Sequence, residues 1–217
     1  MDENHYRIYV LAEWGIEDKS GKFCYSYDKE KLSVTTVYDP GQMTWLSFDF
    51  NRDPITCGVI QDHDGIDRVI EAIKLHDSDI YKMCDYIKAA YPNAFFMVTG
   101  DATGRNSSAL VKDNLNYYIV IQRELNLNDG QIKVPTVNPR IEQNKVLVNA
   151  ILKNYPTQID PVKASSLHYD MQYVEITEEN KIKKDNRSDD KQQADSLDWY
   201  RYFCNIKHQD FLRIPNR

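Results

Sequence analysis

The stretch Trp45-Leu46-Ser47-Phe48-Asp49-Phe50-Asn51-Arg52-Asp53-Pro54 sets a carboxylate, Asp49, into an apolar run. Its aromatic and aliphatic content predicts a buried strand over Met43 to Asn51, closed by the Asp53-Pro54 corner. An ionised carboxylate among apolar side chains costs on the order of several kcal/mol unless a cation or strong donors receive it, so Asp49 needs compensation. Two other places set acids in comparable surroundings. Phe95-Phe96-Met97-Val98-Thr99-Gly100-Asp101 reads as an apolar strand ending in Gly-Asp, and Asp195 and Asp198 lie in a predicted helix near the end of the sequence. Three carboxylate positions, far apart in sequence and each on a well-formed element, point to a divalent-metal site.

Composition narrows the classes around that pattern. A length of 217 residues is one domain of ordinary size, able to bury a real core. Hydrophobic and aromatic fractions of 41% and 12% are globular values, and no apolar run approaches the roughly 20 residues that cross a bilayer. No signal-peptide pattern opens the sequence. Cys24, Cys57, Cys84 and Cys204 are widely spaced without a CxxC pair, which argues against zinc fingers and redox motifs and for reduced, cytosolic thiols. The net charge of -6 argues against a dedicated nucleic-acid binder but not against a nuclease, whose metal-binding acids carry negative charge that cations neutralise.

Read in order, residues 1 to 42 form a connecting segment rich in aromatics, with a short hairpin arm through Phe23 to Tyr27 and a turn at Asp39-Pro40-Gly41. After the first strand, Ile55 to Gln61 forms its antiparallel partner, and Arg68 to Leu75 reads as a third strand with helix as the competing assignment. Ser78 caps a helix to Ala90, ended by Tyr91-Pro92. Phe95 to Gly100 is the fourth strand. A long helix from Ser107 or Ser108 to about Leu125, a short strand from Gln131 to Val137 and a helix opened by Asn138-Pro139-Arg140 follow. Val162 to Val174 is helical, Glu178 to Lys191 is a charged mobile loop or hairpin, and Gln192 to Tyr202 is the last helix. Strands arranged first as a meander and then alternating with helices imply an α/β fold, with a mixed central β-sheet flanked by helices.

Each acid alone has an ordinary explanation. Asp49 could bond strand-end amides or a buried Arg, Asp101 could cap the next helix, and Asp195 could be a first-turn acid favoured by the helix dipole. Together, a central strand, a neighbouring strand tip and a covering helix can converge, as two-metal phosphodiester hydrolysis requires. Asp49 is then the carboxylate shared between two ions, with Asp101 and Asp195 or Asp198 serving one ion each.

Five motifs carry a family resemblance: Tyr6 to Gly15, Leu46-Ser47-Phe48-Asp49-Phe50-Asn51 with Pro54, Gly100-Asp101-Ala102-Thr103-Gly104, Asn138-Pro139-Arg140-Ile141, and Ala194-Asp195-Ser196-Leu197-Asp198-Trp199-Tyr200-Arg201-Tyr202. In this order they resemble the C-terminal nuclease domain of the tailed-bacteriophage large terminase subunit. The resemblance implies a ribonuclease H-like fold over residues 43-217, with residues 1-42 as the motor-to-nuclease connection. It implies an endonuclease that uses two Mg2+ or Mn2+ ions to cut concatemeric viral DNA during genome packaging. The implied partners are double-stranded DNA, an ATPase motor domain, the portal and the small terminase subunit, in the cytoplasm of the infected bacterial host and with no membrane. No GxxxxGK[ST] phosphate loop is present, so the chain is expected to lack the motor, as an excised domain or prophage fragment would.

Members of that family often place His three residues before the last metal-binding Asp. Here that position holds Gln192 if the ligand is Asp195, the favoured assignment, or Asp195 if the ligand is Asp198. Lys181, Lys183, Lys184, Arg187 and Lys191 are candidates to hold DNA phosphates, and His63 and Asp64 to approach the site from the loop after the second strand. The competing functions are another ribonuclease H-like nuclease of resolvase or integrase type, and a non-catalytic packaging interaction module whose acids are structural.

Overall fold

Strand β1 (Met43–Asp49) is an inner strand, second in a five-stranded sheet, and is buried from its second residue to its last. The computed structural model describes residues 21–51, 53–107, 112–184, 186 and 188–211. The sheet order is β4 (Phe95–Gly100), β1, β2 (Ile55–His63), β3 (Ile66–Leu75), β5 (Thr157–Ile159). β1, β2 and β3 form an antiparallel meander, whereas β4 runs parallel to β1 and β5 parallel to β3. The meander and the third strand are therefore as the sequence predicts. A cis Asp53-Pro54 peptide lies in the β1–β2 connection, and Asp64 and Gly65, both at positive φ, make the two-residue turn from β2 to β3.

Alternation along β1 separates two cores. Trp45 packs with Ile60 and Val69 under helices α4 (Ile141–Asn154), α5 (Ser165–Tyr173) and α6 (Asp195–Lys207). Leu46 and Phe48 face the other way, with Cys57, Val59 and Ile70, against α2 (Ile80–Ala90) and α3 (Tyr117–Glu124). This is the mixed sheet with helices on both faces. Among the described residues no helix is long and apolar enough to cross a membrane.

Several expected elements differ. The long helix expected from Ser107 or Ser108 to Leu125 is only α3; Ser108 lies outside the described residues. Asn116 Oδ1 accepts from the Ile119 N–H at 2.9 Å and starts the helix there, while Asp113 upstream is left-handed at φ 59°. The strand expected over Gln131 to Val137 is a single parallel bridge, Val98 to Ile132, because Pro135 has no N–H with which to continue a ladder. β5, unforeseen, is too short to show as a pattern. The last helix starts at Asp195 and runs to Lys207, five residues beyond Tyr202.

The hairpin arm expected at Phe23 to Tyr27 is instead a strap. Phe23 N–H donates to Val174 O at 2.9 Å, its side chain is fully buried, and a short helix α1 (Lys29–Leu32) leads to Val34 N–H on Ile159 O at 3.1 Å. The aromatic segment before Gly21 lies outside the described residues.

Candidate active site

The end of β1 receives Asp101 through a glycine. At Gly100, opposite Phe48, φ is +147° and a Cβ would lie 2.3 Å from Phe48 O, so only glycine lets β4 follow β1 to its last residue. Asp101 N–H then donates to Phe48 O at 3.0 Å. Its carboxylate accepts from Thr103 N–H at 2.8 Å and from Asn138 Nδ2 at 2.7 Å, while Asn138 Oδ1 accepts from Ala102 N–H at 2.8 Å. The helix-entry cap that explained Asp101 locally is thus present, and Asn138 adds a clamp from the loop before α4.

Helix α6 crosses the same strand end. The Trp199 indole lies flat on Gly58 of β2, and Ser47 Oγ donates to Trp199 O at 2.6 Å. That docking turns Asp195 and Asp198, an i, i+3 pair, toward Asp49. Asn51 Nδ2 reaches Asp49 Oδ2 at 2.5 Å and Asp195 Oδ1 at 3.2 Å, tying the strand to the helix. Asp195 Oδ2 pairs with Lys74 Nζ of β3 at 3.2 Å. Asp198 is paired through Oδ1 with Arg201 Nε at 2.7 Å and through Oδ2 with Lys184 Nζ.

The two inner acids are held in opposite states. Burial, then the charges of Asp198 and Asp101, push the Asp49 carboxyl well above the usual range, and Lys184 and Arg201 offset this only in part. Burial alone would raise Asp198 too, but Arg201 and Lys184 outweigh it and hold Asp198 below its ordinary value. Behind α6, Asp170 of α5 is pushed up to about 7, by burial first, against the N–H groups of Leu197 and Ser196 that it accepts.

The four acids named from the sequence therefore meet at one end of the sheet. His63 and Asp64 do not: they close the β2–β3 turn, whereas Asp49 pairs with Thr56 at the other end of β2. Lys184 lies against Asp198, while Lys183 pairs with Glu175 at 3.3 Å, Lys191 sits over the Tyr173 ring, and Lys181 is exposed at the turn made by Ile176 and Ile182. Arg187 lies outside the described residues. Sequence reasoning missed Asn51, Lys74, Asn138 and Arg201 as parts of the acid network. Asn51, Asn138 and Arg201 sit within the quoted motifs and were open to discovery; Lys74 is one surface-like lysine on a strand and gave no signal.

The donor set suits a hard divalent cation, being carboxylates of which Asp49, Asp195 and Asp198 are buried and Asp49 is burdened by neighbouring negative charge. Among the described residues no three His, Cys, Asp or Glu side chains stand close enough to share an ion, and both Asp198 oxygens face cationic groups. Asp49 and Asp101 are near enough for the charge of Asp101 to raise the Asp49 carboxyl, whereas Asp198 is engaged by Lys184 and Arg201.

No protein-family profile and no curated protein sequence matches the chain. Solved structures do. It is similar to the large terminase of a thermophilic bacteriophage in complex with ATP-γ-S, at 14% identity and TM-score 0.63 over 85% of this chain and 45% of that one. It is similar to the P22 large terminase nuclease domain at 11% identity and TM-score 0.60, covering 90% of this chain and 98% of that one. The large terminase nuclease of thermophilic phage G20c with bound cobalt matches at 12% identity and TM-score 0.51, over 82% and 96%. The chain has the ribonuclease H-like fold of phage large terminase nuclease domains, and spans less than half of the first of these terminases.

Proposed function

We propose that this chain is the nuclease part of a tailed-bacteriophage large terminase, a metal-dependent endonuclease that cuts concatemeric viral DNA during genome packaging. The observation that carries the reading is Asp49: a carboxylate buried at the end of the central strand, facing Asp198 and Asp101, in the fold of the terminase nucleases. Asp49 and Asp101 would hold one Mg2+ or Mn2+ ion, and Asp49 with Asp198 a second, Asp195 standing beside them under the hold of Lys74 and Asn51. Bound cobalt in the G20c nuclease supports a divalent ion here. When bound, such ions supply positive charge to the phosphate oxygens and make water a better nucleophile near neutral pH. The chain's own contribution is orientation: Asn138 fixes Asp101, Asn51 sets Asp49 against Asp195, and Arg201 keeps Asp198 ionised. Lys181, Lys183, Lys184, Arg187 and Lys191 would hold DNA phosphates beside the cut.

In the whole protein, residues 43-217 would be the nuclease, with residues 1-42 leading from an ATPase motor and with portal and small terminase subunit as partners in the host cytoplasm. The Arg201–Asp198–Lys184 ion network favours one competitor, a packaging interaction module with purely structural acids. Cleavage of supercoiled plasmid separates the two. Nicking and linearisation with Mn2+ or Mg2+, abolished by chelator and in folded Asp49→Ala and Asp101→Ala proteins, are expected. Folded wild-type protein that cuts nothing at high concentration with Mn2+ overturns the nuclease reading for this chain.

A further inference from the structure

The first N–H groups of a helix need acceptors, usually supplied by a Ser, Thr, Asp or Asn immediately before it. α6 has none of these: the residue before it is Ala194, left-handed at φ 56° and fully buried, with no side chain that can accept. The N–H groups of Ser196 and Leu197 instead donate to a single atom, Asp170 Oδ2 of α5, at 2.7 and 3.0 Å. A hydroxyl pair, Ser166 with Ser196 at 2.8 Å, lies alongside. Asp170 is 6% exposed and lies behind α6, near enough to Asp195 to feel its charge.

We infer that Asp170 is a positioning residue of this site: it closes the start of α6 from a neighbouring helix and thereby sets Asp195 and Asp198 against Asp49. Asp195 immediately precedes the two residues whose N–H groups Asp170 accepts and Asp198 immediately follows them, so the rotation of the first turn is referred in part to α5 and not only to the sequence of α6 itself. The rest of α6 is anchored elsewhere, by Trp199 on Gly58, by Ser47 on Trp199 O and by Phe203 on Trp45. Loss of the Asp170 carboxylate therefore leaves the backbone of the acid-bearing turn held by Thr56 Oγ1 on Asp195 O at 3.3 Å, loosens its rotation and leaves the helix docked. The inference rests on the proposed nuclease function, because what it positions is the ion-binding pair.

The test is calorimetric titration of the full chain with Mn2+ alone, beside plasmid cleavage, for wild type, Asp170→Ala and Asp170→Asn. Asp170→Ala should melt cooperatively, bind Mn2+ about tenfold more weakly or worse, and regain part of its cleavage at high Mn2+, as expected for partners that orient ligands. Asp170→Asn, whose amide oxygen can still accept both N–H groups, should bind and cut nearly as wild type does. Folded Asp170→Ala with wild-type Mn2+ affinity and cleavage overturns the inference. Should Asp170→Ala not fold, Asp170→Glu keeps an acceptor but pushes it out by one methylene, and wild-type Mn2+ affinity in that protein overturns it equally. Wild-type protein that neither binds Mn2+ nor cuts overturns the nuclease reading first, and this control distinguishes the two failures.

Discussion

Gly58→Ala is expected to separate folding from activity. A Cβ built on Gly58 lies 2.2 Å from Trp199 Cε3 and Cζ3 and 2.6 Å from Cδ2. Real Cβ contacts essentially never fall below 3.0 Å, so the ring must retreat from 2.2 Å to at least that distance, by 0.8 Å or more. The indole is fully buried and its backbone oxygen is held by Ser47 at 2.6 Å, so the ring cannot swing aside and the helix must lift with it. Overpacking of this kind costs about 1–3 kcal/mol, and the lower unfolded-state entropy of alanine returns about 0.4–1 kcal/mol. At the middle of both ranges the net loss is about 1.3 kcal/mol, which lowers the melting temperature of a domain this size by roughly 3–5 °C. The functional loss should be far larger, because Trp199 neighbours Asp198 and a displacement near 1 Å can reduce a rate by about 100-fold. Circular-dichroism melting and Mn2+-dependent plasmid nicking on the same preparation measure both. An alanine protein that melts and cuts like wild type would refute the close approach of α6 to β2.

The inner acids should respond oppositely to neutralisation when metal is chelated. Asp49→Asn is expected to raise the melting temperature, because an acid whose folded pKa is raised loses stability as pH climbs above its unfolded value. Asp198→Asn should lower stability by about 3–5 kcal/mol, since it strips the buried Arg201 of its carboxylate; equal shifts in thermal melts would sink this account. On α5, buried His168 accepts the Tyr27 hydroxyl at Nδ1 (2.7 Å) and donates from Nε2 to Ile159 O (3.2 Å), and burial lowers its pKa. A lowered histidine gives stability that is present above its unfolded pKa of about 6.5 and lost as pH falls toward the folded value. His168→Gln should therefore melt with a smaller loss than wild type between pH 7.5 and 5.5, and a constant offset would exclude that role. Alanine at Lys181 or Lys191 should weaken DNA binding without sequence preference and flatten the salt dependence by about one unit of slope; an unchanged slope in fluorescence anisotropy removes that lysine from the interface.

The sheet was legible in the sequence wherever a strand had a local signature. The apolar run around Asp49, the Asp53-Pro54 corner and the Gly-Asp ending of β4 are contiguous patterns, and burial on both faces leaves them little choice of structure. α3 was misjudged because apolar spacing does not report which of several polar residues captures the helix start; Asn116 does so, nine residues later than Ser107. The expected strand after Gln131 failed at Pro135, whose missing N–H was readable, while β5 was too short to read.

For the site, the sequence by itself determined which carboxylates stand at strand ends and a helix start, because burial cost and turn chemistry are local. Only the tertiary structure decided their partners. Asn51 joins Asp49 to Asp195 across 144 positions, Lys74 reaches Asp195 from a different strand, and Asp170 closes a helix to which it does not belong. Such pairings depend on which surfaces meet when the sheet is covered. Gly58 shows the reason: an unremarkable glycine within a strand sets how near α6 can come, and through that approach where two of the four acids stand.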